Sequence, residues 1–202
     1  MTVGHEHLSA LWLATLQRII DRIAHDLRNT LNGVAVNVEV VRSRAARGGD
    51  VATIAPFASV AATQVEILSN RTDALVGILR PATPPIDLGA LLGRLVAVLR
   101  PGDGAGAIDL ELPVSSGQVS SAASGDATRL AVGAALLAAL ERGGRTGCRL
   151  GTDRPSTVYI SSEPGGPLTL APDIVDAVMR EGISLSSSPT GIVLTFPSGS
   201  RD

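Results

Sequence analysis

Aromatic side chains are scarce in this 202-residue sequence, which has only Trp12, Phe57, Tyr159 and Phe196. Such a chain offers no row of stacking platforms for bases or sugar rings, and its packing falls to Leu, Val, Ile and Ala, a composition suited to helix bundles. Cysteine is nearly absent. Cys148 is the single one, so no internal disulfide can form, and no Cys or His lies beside it at metal-ligand spacing; a reducing compartment is the simplest inference, with Cys148 a small buried hydrophobe. Charge is sparse too, with 17 basic residues against 19 acidic ones and a formal net charge of −2. Without a concentrated positive field, neither nucleic acid nor an anionic membrane surface is expected as a partner. Glu6, Arg18, Asp21 and Arg22 interrupt every N-terminal apolar run that could serve as a secretion signal. The apolar window Leu130 to Leu140 falls short of the roughly 20 residues a membrane span needs. The expectation is a soluble, cytoplasmic protein.

What the chain does have is helical periodicity. From Leu16 an apolar series runs through Ile20, Ile23, Leu27, Leu31, Val34, Val38 and Val41, in steps of three and four that mark a bundle-facing seam. A first helix is predicted from near Leu8 to Ala46. Gly48, Gly49 and Asp50 break it, and Pro56 fits the first turn of a second helix ending near Leu79. Two such helices cannot cover each other's apolar stripes, which predicts a homodimer closed as a four-helix bundle. Pro81, Pro84 and Pro85 mark a stiff linker, so the expected domains are residues 1–82 and 83–202. The second has the order helix (Asp87 to Leu99), strand (Ala107 to Leu112), helix (Asp126 to Arg142), two strands (near Cys148 to Gly151 and Ser156 to Ser161), helix (Pro172 to Glu181) and two strands (Ile183 to Ser187 and Gly191 to Phe196). Ser115 to Gly125 is expected to be an exposed loop. The predicted fold class is α+β, a helical hairpin followed by an α/β sandwich.

The chemistry concentrates in His25-Asp26-Leu27-Arg28-Asn29-Thr30-Leu31-Asn32-Gly33. At about 100° per residue, His25 lies roughly 160° from the centre of the seam, so it projects away from the core. Asp21, Arg28, Asn29 and Asn32 fall on the same outward side, three, four or seven residues from it. Alone, such a strip is an ordinary solvated face. As a motif, HDLRNTLNG resembles the H-box of sensor histidine kinases, departing from many members only in having Thr30 where they have proline. The resemblance extends over nearly the whole chain, because a helical hairpin, a proline-containing linker and a kinase-like element order follow in the family's sequence. It implies that His25 is the phosphoacceptor, that Asp26 orients or deprotonates its ring, and that Asn29 positions the incoming group or a water. A partner that brings its acidic pocket within bonding reach of an outward imidazole is expected to dock beside it, on Arg28, Asn29, Asn32 and Gly33 and the neighbouring part of the second helix, the small Gly33 leaving space for close approach. His5 and His7 lie near the chain end and are discounted as metal ligands.

The same resemblance exposes a deficit. Asp126, Arg129 and Leu130 resemble the opening of the helix whose later asparagine holds Mg²⁺ in kinases, yet here the stretch reads Leu136-Leu137-Ala138-Ala139-Leu140, with no oxygen to offer a hard cation. The adenine-recognising glycine box is reduced to Glu163-Pro164-Gly165-Gly166-Pro167, read here as a turn. With about ten residues between the flanking strand and helix, the lid segment has no room. Nucleotide binding is therefore expected to be lost. A kinase-shaped chain of this kind resembles the kinase-derived bacterial histidine phosphotransferases, which exchange phosphoryl groups with the receiver domains of response regulators. In such relays the receiver supplies the aspartate and the Mg²⁺, so no cofactor of its own is expected. The alternative is a non-catalytic pseudokinase scaffold or inhibitor that binds kinases or response regulators.

Overall fold

A computed structural model describes residues 2–100, 108–112, 119–151 and 156–198. Its first element, α1 (Thr2–Ala46), is an uninterrupted helix of 45 residues, about 67 Å long at 1.5 Å per residue. Gly48 stops it by taking a left-handed conformation, φ 74°, while the Gly49 amide donates to the Arg44 carbonyl (2.9 Å), the usual way of satisfying the last carbonyls of a helix. The return helix α2 (Val51–Leu79) starts at once. Asp50 caps it, accepting from the Ala52 amide, so Pro56 lies in the second turn rather than in the expected first. At the hairpin tip the Arg44 guanidinium sits 4.6 Å from the Phe57 ring centroid and donates to the Thr53 carbonyl (2.8 Å), which pins the two helix ends together.

The rest of the chain alternates as expected: β1 (Ile86–Asp87), α3 (Leu88–Leu99), β2 (Ile108–Glu111), β3 (Ser120–Ser121), α4 (Gly125–Glu141), β4 (Arg145–Gly151), β5 (Ser156–Glu163), α5 (Pro172–Arg180), β6 (Ser184–Ser188) and β7 (Gly191–Phe196). Asp87 and Ser124 cap α3 and α4 by accepting from backbone amides three residues on. The main sheet has the order β2-β4-β5-β7-β6; β2 runs parallel to β4 and the other neighbours are antiparallel. Alternation along β5 and β7 sends Val158, Ile160, Ile192, Leu194 and Phe196 into the core. The fold is α+β. One expected loop is more ordered than its composition suggests. Residues 115–118 of the Ser115 to Gly125 segment lie outside the described residues, but Ser120 and Ser121 pair with β1, and Ser121 is fully buried.

The largest departure from expectation concerns α1. Its N-terminal half turns Leu8, Trp12, Leu16, Ile19 and Ile23 into one continuous core with α3, α4 and the sheet. α1 packs chiefly on α2 and α4, with lesser contacts to α3 and α5. The molecule therefore has three layers, with α4 clad by α1 on one side and the sheet on the other. Burying five large apolar side chains this way contributes roughly 10 kcal/mol before entropy is counted. The seam expected from Leu16 to Val41 is accordingly divided: Leu16 and Ile23 are buried inside the chain, whereas Ile20, Leu31 and Val38 are exposed. Steps of three and four leave a sector wide enough for two different surfaces to share. α2 also corrects the membrane-span survey, being long and apolar enough by composition to cross a bilayer. It lies along α1, and only 6% of its apolar window is buried within this chain.

Candidate functional site

His25 stands halfway along α1, beyond the part clad by the α/β layers. Its side chain is 75% exposed, in keeping with the outward position that the apolar periodicity predicts. Two neighbours approach its ring. Asn29, one helical turn on, places its amide nitrogen 3.1 Å from Nδ1. The nearer Asp26 oxygen is 3.8 Å from the same atom, beyond hydrogen-bonding reach. Arg28, Asn29 and Asn32 are exposed and Asp26 is half-buried, so a polar strip does line the outward face. Thr30, where related motifs have proline, leaves the helix unbroken and donates its hydroxyl to the Asp26 carbonyl (2.9 Å).

Gly33 requires a correction. The space beside it is not open to a partner, because a Cβ built there would come within 2.5 Å of the Gln64 amide nitrogen of α2. Gln64 in turn accepts from Asn37 (3.3 Å), which also donates to the Gly33 carbonyl (2.9 Å). Gly33 thus lets α1 and α2 approach each other just beyond the histidine. Nothing in the sequence singles out Gln64, since its importance depends on which α2 residue the hairpin turn brings opposite Gly33.

A second polar group fixes the base of the hairpin to the α/β layers. Ser9 of α1 donates to Asp126 at the start of α4 (2.8 Å), and Asp126 pairs with Arg129 (3.2 Å). The buried Arg129 guanidinium also donates to the Arg80 carbonyl at the end of α2, and it lies 6.0 Å from the Trp12 ring centroid. Burial pulls its pKa below the ordinary guanidinium value, and Asp126 opposes that shift. Arg18 and Glu141 add an exposed ion pair between α1 and α4. Asp126 and Arg129, noted in the sequence for their likeness to a nucleotide-site helix, serve here as a clasp among three helices.

The segments read in the sequence as remnants of a nucleotide site make the following contacts. From Ala127 to Leu140 every residue of α4 except Ala138 is buried, and its Gly133 faces Trp12, Thr15 and Ile19 of α1. The Gly165-Gly166 segment forms no hydrogen-bonded turn and is instead extended chain held at its end: Arg142 donates to the Pro167 carbonyl, and the Leu168 amide donates to the Gly191 carbonyl (3.2 Å). Cys148 is buried, and burial pushes its thiol up to about 12, which makes it unreactive at neutral pH.

By sequence the chain matches no protein-family model and no curated protein. By structure it is similar to a bacterial phosphotransferase, at 17% identity and a TM-score of 0.45, with 96% of this chain aligned to 97% of that one. It is also similar to the Erythrobacter litoralis EL346 blue-light activated histidine kinase, at 16% identity and a TM-score of 0.34, covering 87% of this chain and 58% of that one. The Acinetobacter baumannii histidine kinase AdeS aligns at 16% identity with a TM-score of 0.35, over 85% of this chain and 95% of that one.

Proposed function

We propose that this chain is a histidine phosphotransferase of a two-component phosphorelay, taking a phosphoryl group from one receiver domain onto His25 and passing it to another without using ATP. The observation that carries the reading is the placement of His25: an accessible imidazole on a long helix, met at one ring nitrogen by Asn29 and embedded in a motif of H-box type. Phosphoryl transfer depends mainly on positioning and charge neutralisation. The chain need bring only a neutral imidazole with one nitrogen free to attack, while the receiver brings its aspartate and Mg²⁺. The enclosed α4 supports the absence of ATP chemistry, because the helix has no polar face left to offer a nucleotide. Receivers dock, in this reading, on the strip that carries Arg28, Asn29 and Asn32.

Assembly as a homodimer belongs to the same proposal. Leu13, Ile20, Leu31 and Val38 are all exposed on α1, and their steps of seven, eleven and seven residues return them to one face. With the uncovered apolar surface of α2 alongside, a second copy of the hairpin would bury what this chain leaves bare.

The test is to incubate the protein with phosphorylated receiver domains and Mg²⁺ and to look for acid-labile phosphate. Label is expected on wild-type protein and not on His25→Ala, whose fold and receiver binding should persist because the side chain is exposed. Label that survives the substitution, or that maps to His5 or His7, would overturn the assignment. Tight receiver binding with no transfer would favour the scaffold reading instead.

A further inference from the structure

Burial alternates along β4 and β5, so one face of the main sheet packs against the helices and the other meets solvent. On that outer face the strand register lines up Asp109, Gly147, Ser161, Gly191 and Ser188, one residue from each of β2, β4, β5, β7 and β6. A row without large side chains is a furrow, and a groove of about 320 Å³ lies over it. One wall is the next row of the sheet, Glu111, Arg149 and Tyr159.

Packing within the chain explains one of these glycines and not the other. A Cβ on Gly191 would strike the Ile160 carbonyl, so no side chain fits there. A Cβ on Gly147 would crowd only the Ser161 hydroxyl oxygen, at 2.6 Å, a group that turns aside by rotation about χ1. Nor does Gly147 take a positive φ. A glycine inside a central strand weakens it, and where no turn, bulge or backbone clash calls for one, close approach of a ligand is a reason for it. The wall beside it carries charge that the chain leaves unanswered. Arg149 and Glu111 stand opposite each other in the register of β4 and β2, yet neither enters an ion pair among the described residues. Arg149 lies instead over the Tyr159 ring, 4.6 Å from its centroid, and Asp109 is taken by Arg145. One guanidinium and one carboxylate thus stand on neighbouring strands about 5 Å apart.

We infer that this groove binds a free α-amino acid whose side chain is polar, uncharged and about as long as that of glutamine. Ammonium and carboxylate on one carbon match a carboxylate and a guanidinium on adjacent strands: Glu111 accepts from the ammonium, and Arg149 donates to the carboxylate as a bidentate fork. Stacking on Tyr159 holds the guanidinium in place beforehand, which lowers the cost of ordering it. From that head the furrow leads over Gly147, two residues along β4 from Arg149 and so roughly 7 Å away, the reach of a glutamine side chain and one hydrogen bond. There the Ser161 hydroxyl, which both donates and accepts, suits a carboxamide. A charged end would meet the closed pair of Arg145 and Asp109, which has no charge left to give. The groove opens on the sheet face turned away from α4, and the inference does not depend on the phosphotransfer reading.

Titration of the full chain with L-glutamine, followed by backbone ¹H–¹⁵N chemical shifts, reads the site directly. Saturable shifts are expected at Gly147, Arg149 and Ser161, with a dissociation constant of about 1 mM because exposed charges contribute little each. Glutaramic acid, which lacks the ammonium group, and 4-aminobutanamide, which lacks the α-carboxylate, should each bind about tenfold more weakly. In Glu111→Gln, glutamine and glutaramic acid should bind alike; in Arg149→Gln, glutamine and 4-aminobutanamide should bind alike. Both positions are exposed, so neither change should move the melting temperature. Gly147→Val should fill the furrow and abolish the shifts while leaving the melt unchanged or raised, since a β-branched residue suits a strand. Absence of saturable shifts up to about 20 mM glutamine would overturn the inference. So would equal binding of glutaramic acid and glutamine to wild type, shifts confined to other parts of the chain, or glutamine affinity that survives both Glu111→Gln and Arg149→Gln.

Discussion

Arg129 shows how much can depend on one side chain far from the chemistry. Its guanidinium is withdrawn from water and answers three needs at once: the charge of Asp126, the Arg80 carbonyl left over at the end of α2, and the face of Trp12. Replacement by leucine would keep much of the volume but strand both oxygens, one of them charged. Removing one member of a buried pair typically costs about 3 kcal/mol, so Arg129→Leu should lower the unfolding free energy obtained from chemical denaturation by that much, with the transition still cooperative. A change within about 0.5 kcal/mol would mean that the clasp is ornamental. His25 makes the contrast, because an exposed imidazole can be removed without structural consequence, and the role proposed for it lies in reactivity alone.

Among the elements, α1 and α4 cross where α4 has no side chain. A Cβ built on Gly133 would sit 3.4 Å from the Trp12 ring and 3.6 Å from both Ile19 and Thr15, which is ordinary contact and no clash. Gly133→Ala should therefore be neutral or stabilise by up to about 1 kcal/mol through helix propensity, whereas Gly133→Leu should force the helices apart and destabilise by about 2 kcal/mol; thermal melts of the two variants decide it. Much of this architecture was legible in advance. The turn at Gly48 to Asp50, the presence of α3 and α4, and the order of β4, β5, α5, β6 and β7 follow from local chemistry that the residues state plainly. So does the outward position of His25, which depends only on helical phase. What periodicity could not say is which surface covers each apolar stripe. Ile19 and Ile20 are adjacent and alike in composition, yet one is fully buried and the other 39% exposed, because α4 arrives from more than a hundred residues away. The pairing of Ile86–Asp87 with Ser120–Ser121 is too short and too polar to show any period. The contact between Asn29 and His25 was within reach of i,i+4 spacing.

At the scale of the whole molecule, the exposed stripe of α1 and the bare face of α2 ask for a second copy. Light scattering should give twice the 20.6 kDa chain mass. Leu31→Glu combined with Val65→Glu, both exposed sites, should yield a monomer with undiminished helical circular dichroism. Ile23→Asp should instead unfold the chain, since that residue is buried within it. A concentration-independent monomer mass for wild type would remove the basis for the bundle. The continuity of α1 has one more consequence, which concerns inheritance. Because the first half of the helix is part of the core beneath the sheet while the second half carries His25, no cut in the gene separates helical hairpin from globular body without splitting a packed interior. Recombination at the proline segment would join a foreign hairpin to a core missing its outer wall, so the heritable unit here is the entire chain, and its two ends can diversify only in step.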